Sequence, residues 1–294
     1  MTHDTDTATP RPRQWKWVRR GLPGGGGSLS LVLAALMLVA VAVLIVVVPF
    51  RAGYDPHAQS LLFSLDPPFN TAEHPLGTDA LGRDLLDRLS LATRISVIIA
   101  LSAVTISATL GLCIGLIAGW YRGPAESLLM AVGNVQLSIP VILLLIVLVA
   151  ALGASSVLLV VLLGLTNWVS YGRVTRSMVM SLREREFISA VVAAGGGAFY
   201  IMRRHLLPNV IPQILVLAAF DVGVVITIES SLSFIGLGIQ PPTPSLGLMI
   251  SEGQRYLQTN PFLTLVPAIV IFLLIGGVQF VSHGLTSARM PSGR

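Results

Sequence analysis

The chain has 294 residues, of which 53% are hydrophobic and only 11% charged, with a formal net charge of +5. Soluble domains are about a quarter charged, so this composition excludes an ordinary soluble protein and makes lipid the solvent for most of the surface. A single cysteine, Cys113, excludes an intrachain disulfide framework or a Cys-based metal site. The basic residues are scattered between apolar runs rather than massed on one face, which argues against nucleic-acid binding.

In chain order, residues 1–28 form a polar tail containing Arg11, Arg13, Lys16, Arg19 and Arg20, and are read as disordered. Residues 29–50 are uninterruptedly apolar and end in VVVPF without a small-residue cleavage site, so they read as an uncleaved first transmembrane helix. Residues 51–94 form an outer loop in which 81–91 carry apolar residues at helical spacing among Arg83, Asp84, Asp87 and Arg88. That pattern predicts an amphipathic helix lying at the interface. The core, 95–282, holds five more spans: 95–119, 127–150, 156–170, 210–235 and 262–281, each near the length a bilayer requires, the fourth being short. Pro140 is expected to kink the third span. Residues 283–294 are a second polar tail. The expectation is an all-α integral membrane protein with six transmembrane helices.

Cations orient the bundle. With both termini in the cytoplasm, the inner segments hold fourteen Lys and Arg residues and the outer ones five, as the positive-inside rule requires. Residues 171–208 then form the one long cytoplasmic loop. Its helical start carries Arg173 and Arg176, its middle is rich in Ala and Val, and Gly195, Gly196 and Gly197 end or turn the helix. A short helix with a small-residue face suits docking into a groove on another protein; a solvated connector fits the same composition.

Acids and amides inside the apolar runs are the remaining candidates. Asp221 and Glu229 fall within the fifth span, where a charge costs about 2.5–3.5 kcal/mol on insertion scales and must face protein or water. Asn134, Gln136 and Ser138 precede Pro140 in the third span. All five are candidate linings of a translocation pathway, with cross-helix hydrogen bonding as the competing role. The histidines are dispersed, so no metal site is expected. No G-x-x-x-x-G-K-[ST] phosphate loop occurs, so the chain is expected to bind no nucleotide of its own.

Three stretches carry a family resemblance. The loop resembles the coupling loop of ABC importer permeases (Glu-Ala-Ala, three residues, Gly, then Ile and a later Leu-Pro), falling on Ser189, Ala190, Val191, Gly195, Ile201, Leu207 and Pro208. Ser189 stands where the family has Glu, and Val191 where it has Ala. HPLGTDALGRDLLDRL (residues 74–89) and ESSLSFIGLGIQPPTPSLGLMI (229–250, with Leu246 in place of the usual Trp) resemble motifs of the dipeptide/oligopeptide/nickel branch. Asn134 replaces a family Asp. The resemblance implies a type I importer permease in a bacterial inner membrane. Its partners would be a homologous second permease, two ATPase domains that bind ATP and Mg, and an external substrate-binding protein. Ser189, Ala190, Val191, Ala194, Gly195, Gly196 and Arg203 would contact the ATPase. Peptides are the implied substrate, with nickel chelates or another small solute as the alternative. A proton-coupled secondary transporter is the reading from another class, kept open by the acids of the fifth span.

Overall fold

A computed structural model describes residues 26–289; the expectations for residues 1–25 and 290–294 lie outside them. Apolar runs with no water to satisfy their backbone close their hydrogen bonds internally as helices, and among the described residues no named strand forms. Helix α1 is Gly26–Val46, α2 Leu85–Tyr121, α3 Pro124–Leu137, α4 Val141–Leu152, α5 Ser156–Thr166 and α6 Trp168–Arg183. After them come α7 Glu186–Ala193, α8 Ala198–Ile201, a π-helical turn Met202–Leu206, α9 Leu207–Phe234, α10 Leu246–Gly253 and α11 Phe262–Arg289.

Among the described residues, five helical stretches are long and apolar enough to cross a bilayer: Ser30–Phe50, Leu85–Tyr121, Ser156–Arg183, Ala198–Phe234 and Phe262–Gly284. The pair α3 and α4, bent by 83° at its break, makes a sixth if it crosses as one. The kink expected at Pro140 is thus a full interruption: the Ile139 amide bonds three residues back, to the Gln136 carbonyl at 3.3 Å, and Pro140 has no amide hydrogen to donate.

Several helices run beyond the spans expected from hydropathy. At 1.5 Å per residue α2 is about 55 Å long against a hydrocarbon core of about 30 Å. The separate interfacial helix expected over 81–91 does not form. Asp84 instead caps α2, its carboxylate accepting from the Leu86 and Asp87 amides at 2.8 and 3.1 Å, and Leu85–Leu91 become the first turns of the span. Their charges are buried, not laid on a surface. Arg88 pairs with Asp79 and, at 3.0 Å, with Glu252 of α10. Arg83 reaches Asp79 at 2.6 Å, and His74 Nδ1 lies 2.8 Å from Asp84. These pairs press the outer loop onto the end of the bundle. The periodicity was helical as read; the tertiary partners of its polar face were not visible locally.

Helix α6 packs along α2 through a stripe of small residues. Gly111, Gly115 and Gly119, one per turn, let α2 approach the backbone and β-carbons of Tyr171, Gly172, Thr175 and Val179. Close backbone approach of this kind replaces the hydrophobic effect as the glue between helices in lipid. Helix α1 lies against α11, where Gly276 and Gly277 face Met37 and Leu38.

Candidate functional site

The protruding loop is built on α6. That helix continues past the apolar segment to Arg183, and a two-residue joint, with the Arg185 amide bonded to the Leu182 carbonyl at 3.1 Å, starts α7. Glu186 in the first turn complements the helix dipole. The glycines end α7 as a Schellman motif: the Gly196 amide bonds to the Val191 carbonyl and the Gly195 amide to the Val192 carbonyl, both at 2.9 Å. Gly195 has φ +84°, a left-handed conformation that costs an L side chain about 1–2 kcal/mol.

One apolar side chain anchors this helix. Ile188 is buried together with Leu182, Ile201 and Leu206, while Ser189, Ala190, Ala194, Gly195 and Arg203 are exposed. Val191 and Gly196 are half-buried, and they hold each other in the capping turn. The predicted set therefore divides into an outward face and the turn that shapes it. Sequence reading missed the exposed aromatics around that face: Phe187, Phe199 and Tyr200 are 42%, 73% and 55% exposed. Their signal was available as three large rings in a stretch otherwise made of small residues. A cavity of 390 Å³, lined by Trp120, Arg183, Ile188, Ser189, Val192 and Ala193, separates α7 from the C-terminal end of α2.

The polar interior centres on the break between α5 and α6. Asn167 ends one helix and starts the next, which frees carbonyls from the helical ladder. Gln136 of α3 fills that need. Its Nε2 donates to the Thr166 carbonyl at 2.6 Å, and its Oε1 accepts from Trp168 Nε1 at 2.9 Å. Asn167 Nδ2 donates to Asp221 at 2.7 Å. Tyr171, fully buried, brings its hydroxyl beside the same carboxylate. Gln136 and Asp221, read separately from the sequence, thus lie on the two sides of one helix break, and Asn167, Trp168 and Tyr171 complete the cluster.

The other candidates lie apart from it. Glu229 has no exposed surface; Ser96 of α2 donates to it at 3.0 Å, Ser233 at 2.8 Å and Ser230 at 3.4 Å. Its environment is a closed hydrogen-bond site between α2 and α9, whereas Asp221, about two turns away, faces the α5–α6 break. Asn134 is exposed and accepts from Arg173 at 2.9 Å. Ser138 is exposed and donates to its own helix, to the Val135 carbonyl at 2.6 Å. Among the described residues, no group of three His, Cys, Asp or Glu side chains is placed to hold a metal ion.

Comparison with known proteins gives this architecture a family. Residues 111–290 match the family described as binding-protein-dependent transport system inner membrane component. The nickel transport system permease protein NikC of Escherichia coli K12 is 35% identical over 238 residues, covering 81% of this chain and 85% of that protein. The di/tripeptide transport system permease protein DppC of Pseudomonas aeruginosa is 35% identical over 247 residues, covering 83% and 82%. Among solved structures, a chain of the MetNI methionine ABC transporter in inward-facing conformations matches at 20% identity and a TM-score of 0.47, over 67% of this chain and 95% of that one. The chain belongs to the binding-protein-dependent family of inner-membrane transport components and is a multi-pass permease of that family.

Proposed function

We propose that this permease forms half of the translocation pathway of an ATP-driven importer and carries di- or oligopeptides handed over by an external binding protein. The other half is a homologous second permease. Two partner ATPase domains bind ATP and Mg and perform the hydrolysis, since this sequence has no phosphate loop. Both termini and α7 face the cytoplasm, the arrangement that the distribution of cations favours. Closure of the ATPase pair displaces α7, and the bundle alternates between inward and outward openings. Asp221 and Gln136 support the pathway wall at the α5–α6 break, with Asn134 and Ser138 nearer its surface. Glu229 holds α9 to α2.

The observation that carries this reading is α7 itself: an eight-residue helix, capped by glycine, anchored by Ile188 and otherwise presenting small side chains. Such a face fits a groove on a folded partner. A cysteine at Ala190 is expected to crosslink to an ATPase subunit in membranes containing the whole transporter. A residue 190 that labels freely with impermeant reagent from the outer side, and never crosslinks, overturns the assignment.

A second reading, uptake of nickel as a chelate, is favoured by the nickel permease relative, which is as similar as the peptide permease. Overall similarity therefore does not choose the cargo. Uptake of labelled dipeptide and of radioactive nickel by the same vesicles separates the two. ATP-dependent accumulation of nickel with no peptide accumulation replaces the first reading by the second.

A further inference from the structure

Helix α3 turns one apolar face away from its own bundle. Leu128 is 67%, Val132 52% and Val135 67% exposed, while Leu129 and Met130 are half-buried. Three of its polar side chains reach α6 in antiparallel order. Glu126 pairs with Arg176, Asn134 accepts from Arg173 at 2.9 Å, and Gln136 accepts from Trp168 at 2.9 Å. One close apolar approach supports them, Gly133 beside Val169. Along α3 the rungs cover about 15 Å and along α6 about 12 Å, between two and three turns of each helix.

The ends of this pair differ. At Ser138–Pro140 the chain breaks by 83°, so nothing helical ties α3 to α4. At the inner end the α2–α3 elbow is tied to the base of α7. Arg122, at φ +52°, reaches Glu184 at 3.0 Å. Arg183 lies 5.2 Å over the Trp120 ring and donates to the Trp120 carbonyl at 2.5 Å. The Arg122–Glu184 pair is 40% and 72% exposed and contributes little; Glu126, at 16%, is the better-protected acid.

We propose that α3, α6 and α7 move as one lever in the transport cycle, swinging about the Pro140 break, and that Glu126 and Arg176 are the positioning pair that keeps α3 on α6. The proposal rests on α7 being the ATPase contact. It adds that displacement of α7 is delivered to α3 through hydrogen bonds rather than through apolar packing. Pairs of polar side chains commonly join helices in lipid, and here they choose which helix the stroke moves.

The test uses the complete transporter reconstituted in vesicles, with uptake per ATP hydrolysed as the readout. Glu126→Arg is expected to lower that ratio by about tenfold, a factor within the range of measured pair couplings, while the crosslink from a cysteine at Ala190 to the ATPase persists. Glu126→Arg combined with Arg176→Glu is expected to restore it. An unchanged ratio in Glu126→Arg with the crosslink intact overturns the lever, whereas loss of the crosslink in the otherwise unaltered chain overturns the α7 assignment instead. A second measurement needs no disruptive variant: spin labels at the exposed Val132, Ser181 and Leu215 in a Cys113→Ser background. Between nucleotide-free and nucleotide-trapped states, the 132–181 distance is expected to stay constant and the 132–215 distance to change. A changing 132–181 distance or a static 132–215 distance refutes the proposal.

Discussion

Replacing Gly115 by Ala tests whether backbone approach is what joins α2 to α6. A β-carbon there would lie 2.5 Å from Thr175 Cβ, 2.6 Å from the Gly172 carbonyl oxygen and 2.8 Å from Thr175 Cγ2. Carbon atoms in contact sit about 3.5–4.0 Å apart, so the helices are short of room by about 1 Å. Neither neighbour can swing aside, one being backbone and the other a β-branched carbon. The helices must part, which also loosens Gly111 against Tyr171 and Gly119 against Val179. Overpacking of this kind costs about 1–3 kcal/mol. Ala also gains helix propensity over Gly, about 1 kcal/mol, so the proper reference is a second Gly→Ala change that shares the gain without the clash. Gly276 of α11 supplies it: its nearest neighbours are the Met37 sulfur at 3.2 Å and methyl at 3.5 Å, at the end of a flexible side chain. Unfolding midpoints in mixed detergent micelles are expected to place Gly115→Ala below Gly276→Ala by about 1–3 kcal/mol. Equal stability of the two variants refutes the reasoning, because it would mean the α2–α6 contact has slack where the geometry shows none.

Three further outcomes follow from the buried polar groups. Glu229→Ala leaves the hydroxyls of Ser96, Ser230 and Ser233 without their shared acceptor, at about 1–3 kcal/mol for each buried group stranded; membrane abundance should fall sharply, and Glu229→Gln should retain most of it. Asn167→Leu and Asp221→Leu should each impair uptake, and the double variant should be no worse than the poorer single one, since both remove the same bond; additive losses would show that they act separately. Arg88→Leu removes one of the two cations shared by Asp79 and Glu252 and leaves Arg83 to both, so its cost should fall below the about 3–5 kcal/mol of a fully broken buried pair. Limited proteolysis from the outer side should then cut residues 51–84 faster than in the unaltered chain.

Some of this architecture was legible because the signals are local. The VVVPF run, the Gly195–Gly196 turn and the Pro140 break each depend on the chemistry of a few neighbouring residues, and hydropathy or hydrogen-bond accounting reads them directly. The boundaries were less legible. Hydropathy reports only where a helix touches lipid, so the expected spans begin ten residues into α2 and stop at Ser170 within α6, although the backbone hydrogen bonds of each helix run on beyond the apolar segment. The Gly111, Gly115 and Gly119 repeat was in plain view, yet one helix alone gives no indication of which neighbour it admits.

The lipid solvent, the order of the apolar spans and the polar interruption that holds α7 follow from local composition, because each reflects the free energy of moving a short segment between water and lipid. The partners of the buried polar groups come from packing instead. Asp221 finds Asn167 across 54 residues and Glu229 finds Ser96 across 133. A carboxyl group in lipid must be satisfied by something, and which donor satisfies it depends on how helices far apart in the chain come to lie side by side.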